Sequence, residues 1–157
     1  MTSGSTQLVV APEVSGLGIV ATYLVVEDLN NRETDPEFER YKADLCERLR
    51  EEYTETFVKD DPTVEGFREL RRRIGRSVRK YPGSIESLIG CLSRTGGIPS
   101  ISLAVDIYNC VSLETRLTLG AHDLDHVVGD ITLRLATGDE RFVPLGRSQP
   151  EKVGAGD

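Results

Sequence analysis

Two histidines four residues apart, His122 and His126, stand among Asp123 and Asp125. On a helix that spacing would set both imidazoles on one face, as in a zinc site. Against metal, no glutamate base follows the first histidine, no third ligand stands near, and Gly120 disfavours a helix over His122. A metal hydrolase is therefore the last-ranked reading. Just upstream, Asp106 and Asn109 interrupt the apolar run that starts at Ile101. Polar groups set into a buried run are costly unless they find partners, so this stretch is the first candidate for a ligand pocket. No Ser/His/Asp arrangement, nucleotide-binding glycine loop or CxxC pair is present, which leaves the commoner catalytic classes without a footing. The remaining charged feature is basic: Arg68, Arg71, Arg72, Arg73, Arg76, Arg79 and Lys80 crowd one short stretch. Such a stretch is either a solvated helix end, favourable near a helix carboxyl terminus, or a phosphate or RNA contact.

The elements that must position these groups follow from local signals. Gln7 to Ala11 suits a strand, and Leu17 to Glu27, rich in β-branched and aromatic residues, reads as a buried strand. Asp28 to Thr34 is a loop. Asp35-Pro36 opens a helix, since aspartate caps free N–H groups and proline suits the first helical position. Phe38, Tyr41, Leu45, Leu49, Tyr53 and Phe57 give that helix one apolar stripe. Asp61-Pro62 repeats the signal ahead of Val64, Phe67, Leu70 and Ile74, with Gly75 as the stop. Ser84 is expected to cap a third helix through Ile85, Leu88, Ile89 and Leu92, ended by Gly96-Gly97 and Pro99. Ile101 to Thr115 fits strand alternation and helix spacing equally well. Asp130 to Ala136, a Thr-Gly-Asp-Glu turn and Arg141 to Leu145 predict a β-hairpin, with Pro144 at a strand end or edge.

These elements predict an α+β fold, with several helices packed on a β-sheet and a C-terminal hairpin. We expect one domain over residues 1–145, frayed over the first six, and a polar, glycine-rich tail without order over 146–157. The composition, 38% hydrophobic and 29% charged over 157 residues, is that of a soluble globular chain. No apolar run approaches the roughly 20 residues that span a bilayer, and the amino terminus lacks the pattern of a secretory signal. Cys46, Cys91 and Cys110 are odd in number and widely spaced, fitting neither a disulfide framework nor a zinc site. They imply small buried hydrophobes in a reducing, hence cytoplasmic, compartment. The formal charge of −7 counts against generic nucleic-acid binding and leaves only a local basic face for it.

Several of these residues together resemble a known family. Val105-Asp-Ile-Tyr-Asn109, Gly120-Ala-His122, Asp125, Gly129 and Ile131-Thr-Leu-Arg134-Leu-Ala136 are similar to the B3/B4 domain of the phenylalanyl-tRNA synthetase beta subunit. Stand-alone B3/B4 proteins share further the pattern at Lys80-Tyr81, Ser84, Glu86 and Leu88, and the one at Leu119-Gly120 through Asp125. The resemblance runs best from Gly66 to Leu145, and the family pattern continues past residue 157, implying a C-terminally shortened member. It implies a mixed α/β editing domain that binds aminoacyl-tRNA and hydrolyses mischarged tRNA through a positioned water and the terminal ribose hydroxyl, without a cofactor. Asn109 and His122 match the pocket asparagine and histidine and would be catalytic, and Tyr108 stands at the pocket threonine. Asp106 and Asp125 complete the substrate-binding set, although helix capping is the simpler role for Asp106. Arg71, Arg72, Arg73, Arg76, Arg79 and Lys80 would contact RNA. Asn109 could equally bond the following helix, and His122 a loop carbonyl. A non-enzymatic module for a free amino acid or small metabolite, using the same pocket without nucleic acid, is the competing reading.

Overall fold

A computed structural model describes residues 6–144 and 146–157. Expectations that fall on the first five residues and on Leu145 lie outside the described residues. The fold is α+β, and the chain divides into two compact units. One unit takes in the described residues of 1–24, 72–76 and 122–157; the other takes in 25–71 and 77–121.

The second unit is helical because its sequence supplies both local starts and one continuous apolar face. Helix α2 (Pro36–Glu52) begins where Asp35 Oδ1 accepts from the backbone N–H of Glu37 and Phe38, both at 3.0 Å. Helix α4 (Pro62–Arg73) begins likewise, with Asp61 Oδ1 accepting from Thr63 and Val64 at 2.9 Å. Between them the apolar stripe does not continue as one helix. Tyr53 ends α2, and Thr54 Oγ1 accepts from Phe57 N at 3.2 Å to open the short α3 (Glu55–Asp60). A threonine hydroxyl that bonds the backbone ahead of it offers the chain an alternative to the helical ladder. Helix α5 (Ser84–Thr95) starts one residue earlier than Ser84 would as a cap. Gly83 takes that place, and Glu86 Oε2 reaches back to accept from its N–H at 3.0 Å. A Cβ there would sit 2.3 Å from the Arg71 guanidinium, so any larger residue must displace that side chain. Gly96, at φ 78°, closes α5.

The ambiguous stretch is helix α6 (Leu103–Thr115), and its buried residues Asp106, Cys110 and Leu113 recur at helical spacing. Cys110 and Leu113 meet Leu45, Cys46, Leu49 and Tyr53 of the α2 segment and Ile85, Ile89 and Leu92 of α5 in one core. Leu92 and Leu113 are fully buried, each contributing about 1.5–3 kcal/mol by removal from water.

The first unit holds the strands, and here pairing differs from expectation. Strand β1 (Leu8–Val10) pairs in parallel with β2 (Ile131–Leu133), in the register Leu8 to Ile131 and Val10 to Leu133. The short helix α1 (Pro12–Ser15) follows β1. The expected hairpin is not formed. The turn is present, with Glu140 accepting from Thr137 N at 3.0 Å and Gly138 N at 2.9 Å, but its arms pair elsewhere. Ala136 exchanges backbone hydrogen bonds with Gly156 and Asp157, while β3 (Arg141–Phe142) pairs antiparallel with β4 (Glu151–Lys152). The tail after Gly146, expected to lack order, therefore supplies β4 and a cover for Ala136. A turn signal fixes the bend, but the strand partners are chosen by segments far away in sequence.

The strand expected at 17–27 is also absent. Leu17 and Gly18 finish the turn after α1, and residues 19–27 form neither helix nor strand. Val20 is 91% and Leu24 86% exposed. Strand propensity measures fit to a pleated neighbour, and among the described residues no strand lies beside this one.

Candidate functional site

Helix α6 brings three sequence-predicted residues onto adjacent turns. Tyr108 and Asn109 are half-buried, on the flank of the face that packs into the core. Asn109 lies mid-helix and caps nothing. Among the described residues neither its amide nor the Tyr108 hydroxyl has a hydrogen-bond partner within the protein, so both are available to a ligand. Asp106 differs. It is fully buried, and both carboxylate oxygens are taken: Oδ2 by Lys42 Nζ at 2.8 Å and Oδ1 by the Ile101 N–H at 2.9 Å. It ties down the chain ahead of α6, close to the capping role and away from a ligand.

Lys42 was not singled out from the sequence. Nζ also donates to Ser100 Oγ at 2.6 Å and Glu39 Oε1 at 2.9 Å, and the residue is 7% exposed. Burial opposes its charge, but the hydrogen bonds to Asp106 and Glu39 outweigh that and hold its pKa above the ordinary lysine value. A signal was present: Phe38, Lys42, Leu45 and Leu49 share one helical stripe, so the lysine occupies an inward position.

His122 and Asp125 belong to the other unit, and both are exposed. His122 has no hydrogen-bond partner among the described residues, so the alternative of a bond to a loop carbonyl is not realised there. Asp125 sits in the single 3₁₀ turn Leu124–His126, where its N–H donates to Asp123 Oδ1 at 3.1 Å. His126 Nδ1 lies 2.9 Å from Asp123 Oδ2, and this hydrogen bond leads the causes that hold the Asp123 pKa below the usual carboxylate value. Among the described residues no group of three His, Cys, Asp or Glu side chains could hold a metal ion.

The basic stretch is not one solvated face. Arg68 Nε donates to Glu86 Oε1 at 2.8 Å, and Arg71 lies over Gly83 with Nη1 3.2 Å from Phe67 O and 3.5 Å from Glu86 Oε2. In the first unit Arg76 pairs with Asp157 and donates to Gly154 O. Arg72 and Arg73 also have partners. Arg79 and Lys80 are exposed, and the Lys80 ammonium stands 5.2 Å from the Tyr81 ring centre. The exposed cations of the stretch are thus Arg72, Arg73, Arg79 and Lys80.

All three cysteines are free; Cys46 and Cys110 are buried, while Cys91 is half-buried. Burial, with Cys46 nearby, pushes the Cys110 thiol up to about 12, and burial raises Cys46 as well. Neither is a ready nucleophile at neutral pH. The second unit also carries an open cleft of about 810 Å³ between α2 and residues 96–100, with Glu39, Lys42, Arg50 and Ser100 on its walls. No sequence-predicted site residue lines it. No helix among the described residues is long and apolar enough to cross a membrane.

The α+β fold is the one the resemblance read from the sequence implies. Residues 67–156, more than half of the chain, match the B3/4 domain, and the chain belongs to that family. The match takes in residues 146–156, the segment that forms β4. The chain is similar to the phenylalanine–tRNA ligase beta subunit of Photorhabdus laumondii subsp. laumondii, 48% identical over 94 residues. That alignment covers 54% of this chain and 12% of the relative, so the chain spans only a small part of the curated protein it matches. No solved structure matches it.

Proposed function

We propose that this chain binds the aminoacylated end of a tRNA and hydrolyses mischarged aminoacyl-tRNA in trans. The observation that carries the reading is the 48% identity to a phenylalanine–tRNA ligase beta subunit within a B3/4 domain. It is supported by polar side chains left open at the matching positions. In this reading the Asn109 amide orients the attacking water or holds the amino-acid ammonium. The His122 imidazole contacts the ribose hydroxyl or the oxyanion that develops as the ester carbonyl is attacked. Tyr108 and Asp125 bound the amino-acid side, Arg79 and Lys80 meet phosphate, and Arg71, Arg72, Arg73 and Arg76 join them by exchanging protein partners for RNA. Water is the nucleophile, the tRNA ribose the leaving group, and no cofactor is required. Such chemistry places the protein in the cytoplasm with charged tRNA.

The test is release of amino acid from mischarged tRNA by the wild-type protein, Asn109→Ala and His122→Ala. Both variants should lose at least tenfold in rate. Equal rates for all three would remove the site assignment. Binding should weaken as salt rises, and the slope should shrink by about 0.7–0.9 for each phosphate that Arg79→Ala or Lys80→Ala leaves without its cation. A flat salt response would remove the RNA.

The internal pairing of Arg68, Arg71 and Arg76, in a chain of net charge −7, favours a second reading: binding of a free amino acid or small metabolite without nucleic acid. A thermal-shift screen of amino acids against tRNA separates the two, since a ligand of the native state raises Tm.

A further inference from the structure

The junction of Lys42 with Asp106 is costly for what it contributes to stability. All three ammonium protons have acceptors, in Asp106, Ser100 and Glu39, and both carboxylate oxygens have donors. The two side chains are 8% and 1% exposed. Replacing such a buried pair with apolar residues of similar volume is often neutral or stabilising, so stability alone does not account for it. Its directional bonds do what apolar packing cannot. They join α2 to α6 and tie Ser100 and Ile101, just ahead of α6, to the same pair.

Asn109 lies three residues beyond Asp106, on the next turn of the same helix. Side-chain atoms sit roughly 5–6 Å from a helix axis, so a rotation of about 10° moves them by about 1 Å. A misplacement of that size can cost about 100-fold in rate. We propose that Lys42 and Asp106 are positioning residues whose buried bond sets the rotation of α6 and thereby aims Tyr108 and Asn109 at the substrate. This rests on the reading that Asn109 faces substrate, and it makes a cation on α2 part of the site's support.

The experiment compares Lys42→Met, Asp106→Leu and the double variant in the full chain. Lys42→Met leaves the buried Asp106 carboxylate without its cation, and Asp106→Leu leaves Lys42 with only Glu39 and Ser100 and the Ile101 N–H without its acceptor; each should lower Tm by roughly 10 °C. The double variant should regain most of that loss. It should not regain aminoacyl-tRNA binding, which stays at least tenfold weaker, and the ¹H–¹⁵N resonance of the Asn109 side-chain amide should remain displaced. A double variant with restored Tm, wild-type binding and an unmoved Asn109 resonance would overturn the proposal, leaving the pair merely structural. If the wild-type protein binds no aminoacyl-tRNA, the functional reading fails by itself. The Asn109 resonance then decides the positioning role alone. Should the double variant not fold, Asp106→Asn keeps the shape and an acceptor for Ile101 N while removing the charge. A displaced Asn109 resonance in that folded protein supports the proposal, and an unmoved one overturns it.

Discussion

Gly83→Ala sets two opposing effects against each other, and the structure says which should win. The backbone at Gly83, φ −66° and ψ 161°, is one alanine adopts freely. Reduced freedom in the unfolded chain would therefore stabilise the variant by about 0.4–1 kcal/mol. Against this, the new Cβ would stand 2.3 Å from Arg71 Nη2 and 3.0 Å from its Cζ. The obstacle is the far end of a flexible side chain, so the guanidinium swings away rather than the backbone. The variant then gives up what Arg71 holds: the bond to Phe67 O at 3.2 Å and the ion pair with Glu86 at 3.5 Å, with its side chain 19% exposed. A hydrogen bond from a charged group is worth about 1.5–3 kcal/mol, and the long geometry here puts it at the lower end. Alanine is also a poorer N-cap than glycine, by up to about 1 kcal/mol. The net expectation is destabilisation of about 1–2 kcal/mol, or about 2–8 °C in Tm.

Urea denaturation of the wild type, Gly83→Ala, Arg71→Ala and the double variant measures this as a coupling. With Arg71 already truncated, the clash is gone and the cost of Gly83→Ala should fall by about 1.5 kcal/mol or more. If Gly83→Ala has the same effect with and without Arg71, the packing of that guanidinium on the glycine is not what holds the start of α5.

Asp35→Ala should cost about 1 kcal/mol in urea denaturation, because it frees two N–H groups at the start of α2. Acid titration followed by circular dichroism should show stability lost as pH falls below about 4.5. Backbone hydrogen bonds, led by that from Thr137, hold the folded Glu140 far below its unfolded value of 4.5. Its contribution is therefore present above that value and disappears as pH falls toward the folded one; Glu140→Gln should flatten that limb. Thiol labelling of the native protein at neutral pH should modify Cys91 first, and Cys46 and Cys110 only at the rate of unfolding, as their burial requires. Mass-resolved labelling that finds Cys110 modified in the native protein would contradict the packing of α6.

What could be read from the chain alone was local. Asp35-Pro36 and Asp61-Pro62 place the starts of α2 and α4 correctly, because a cap needs only an oxygen two or three residues from the N–H groups it satisfies. Gly96 ends α5 because glycine accepts the left-handed conformation. The family, too, is written in the sequence. The strands were not legible in this way. Leu17 to Glu27 has the composition of a strand and no strand partner among the described residues, whereas Glu151–Lys152 has little strand character and pairs with Arg141–Phe142. A backbone ladder is completed by whichever segment the tertiary structure brings alongside, and composition carries no address. Charge followed the same division. The sequence showed that Lys42, Arg71 and Arg76 are cations, but only the packed structure decided where they point. Desolvation and a well-placed acceptor turned Lys42 inward to Asp106, Arg71 onto Gly83 and Glu86, and Arg76 to Asp157, while Arg79 and Lys80 remained in water.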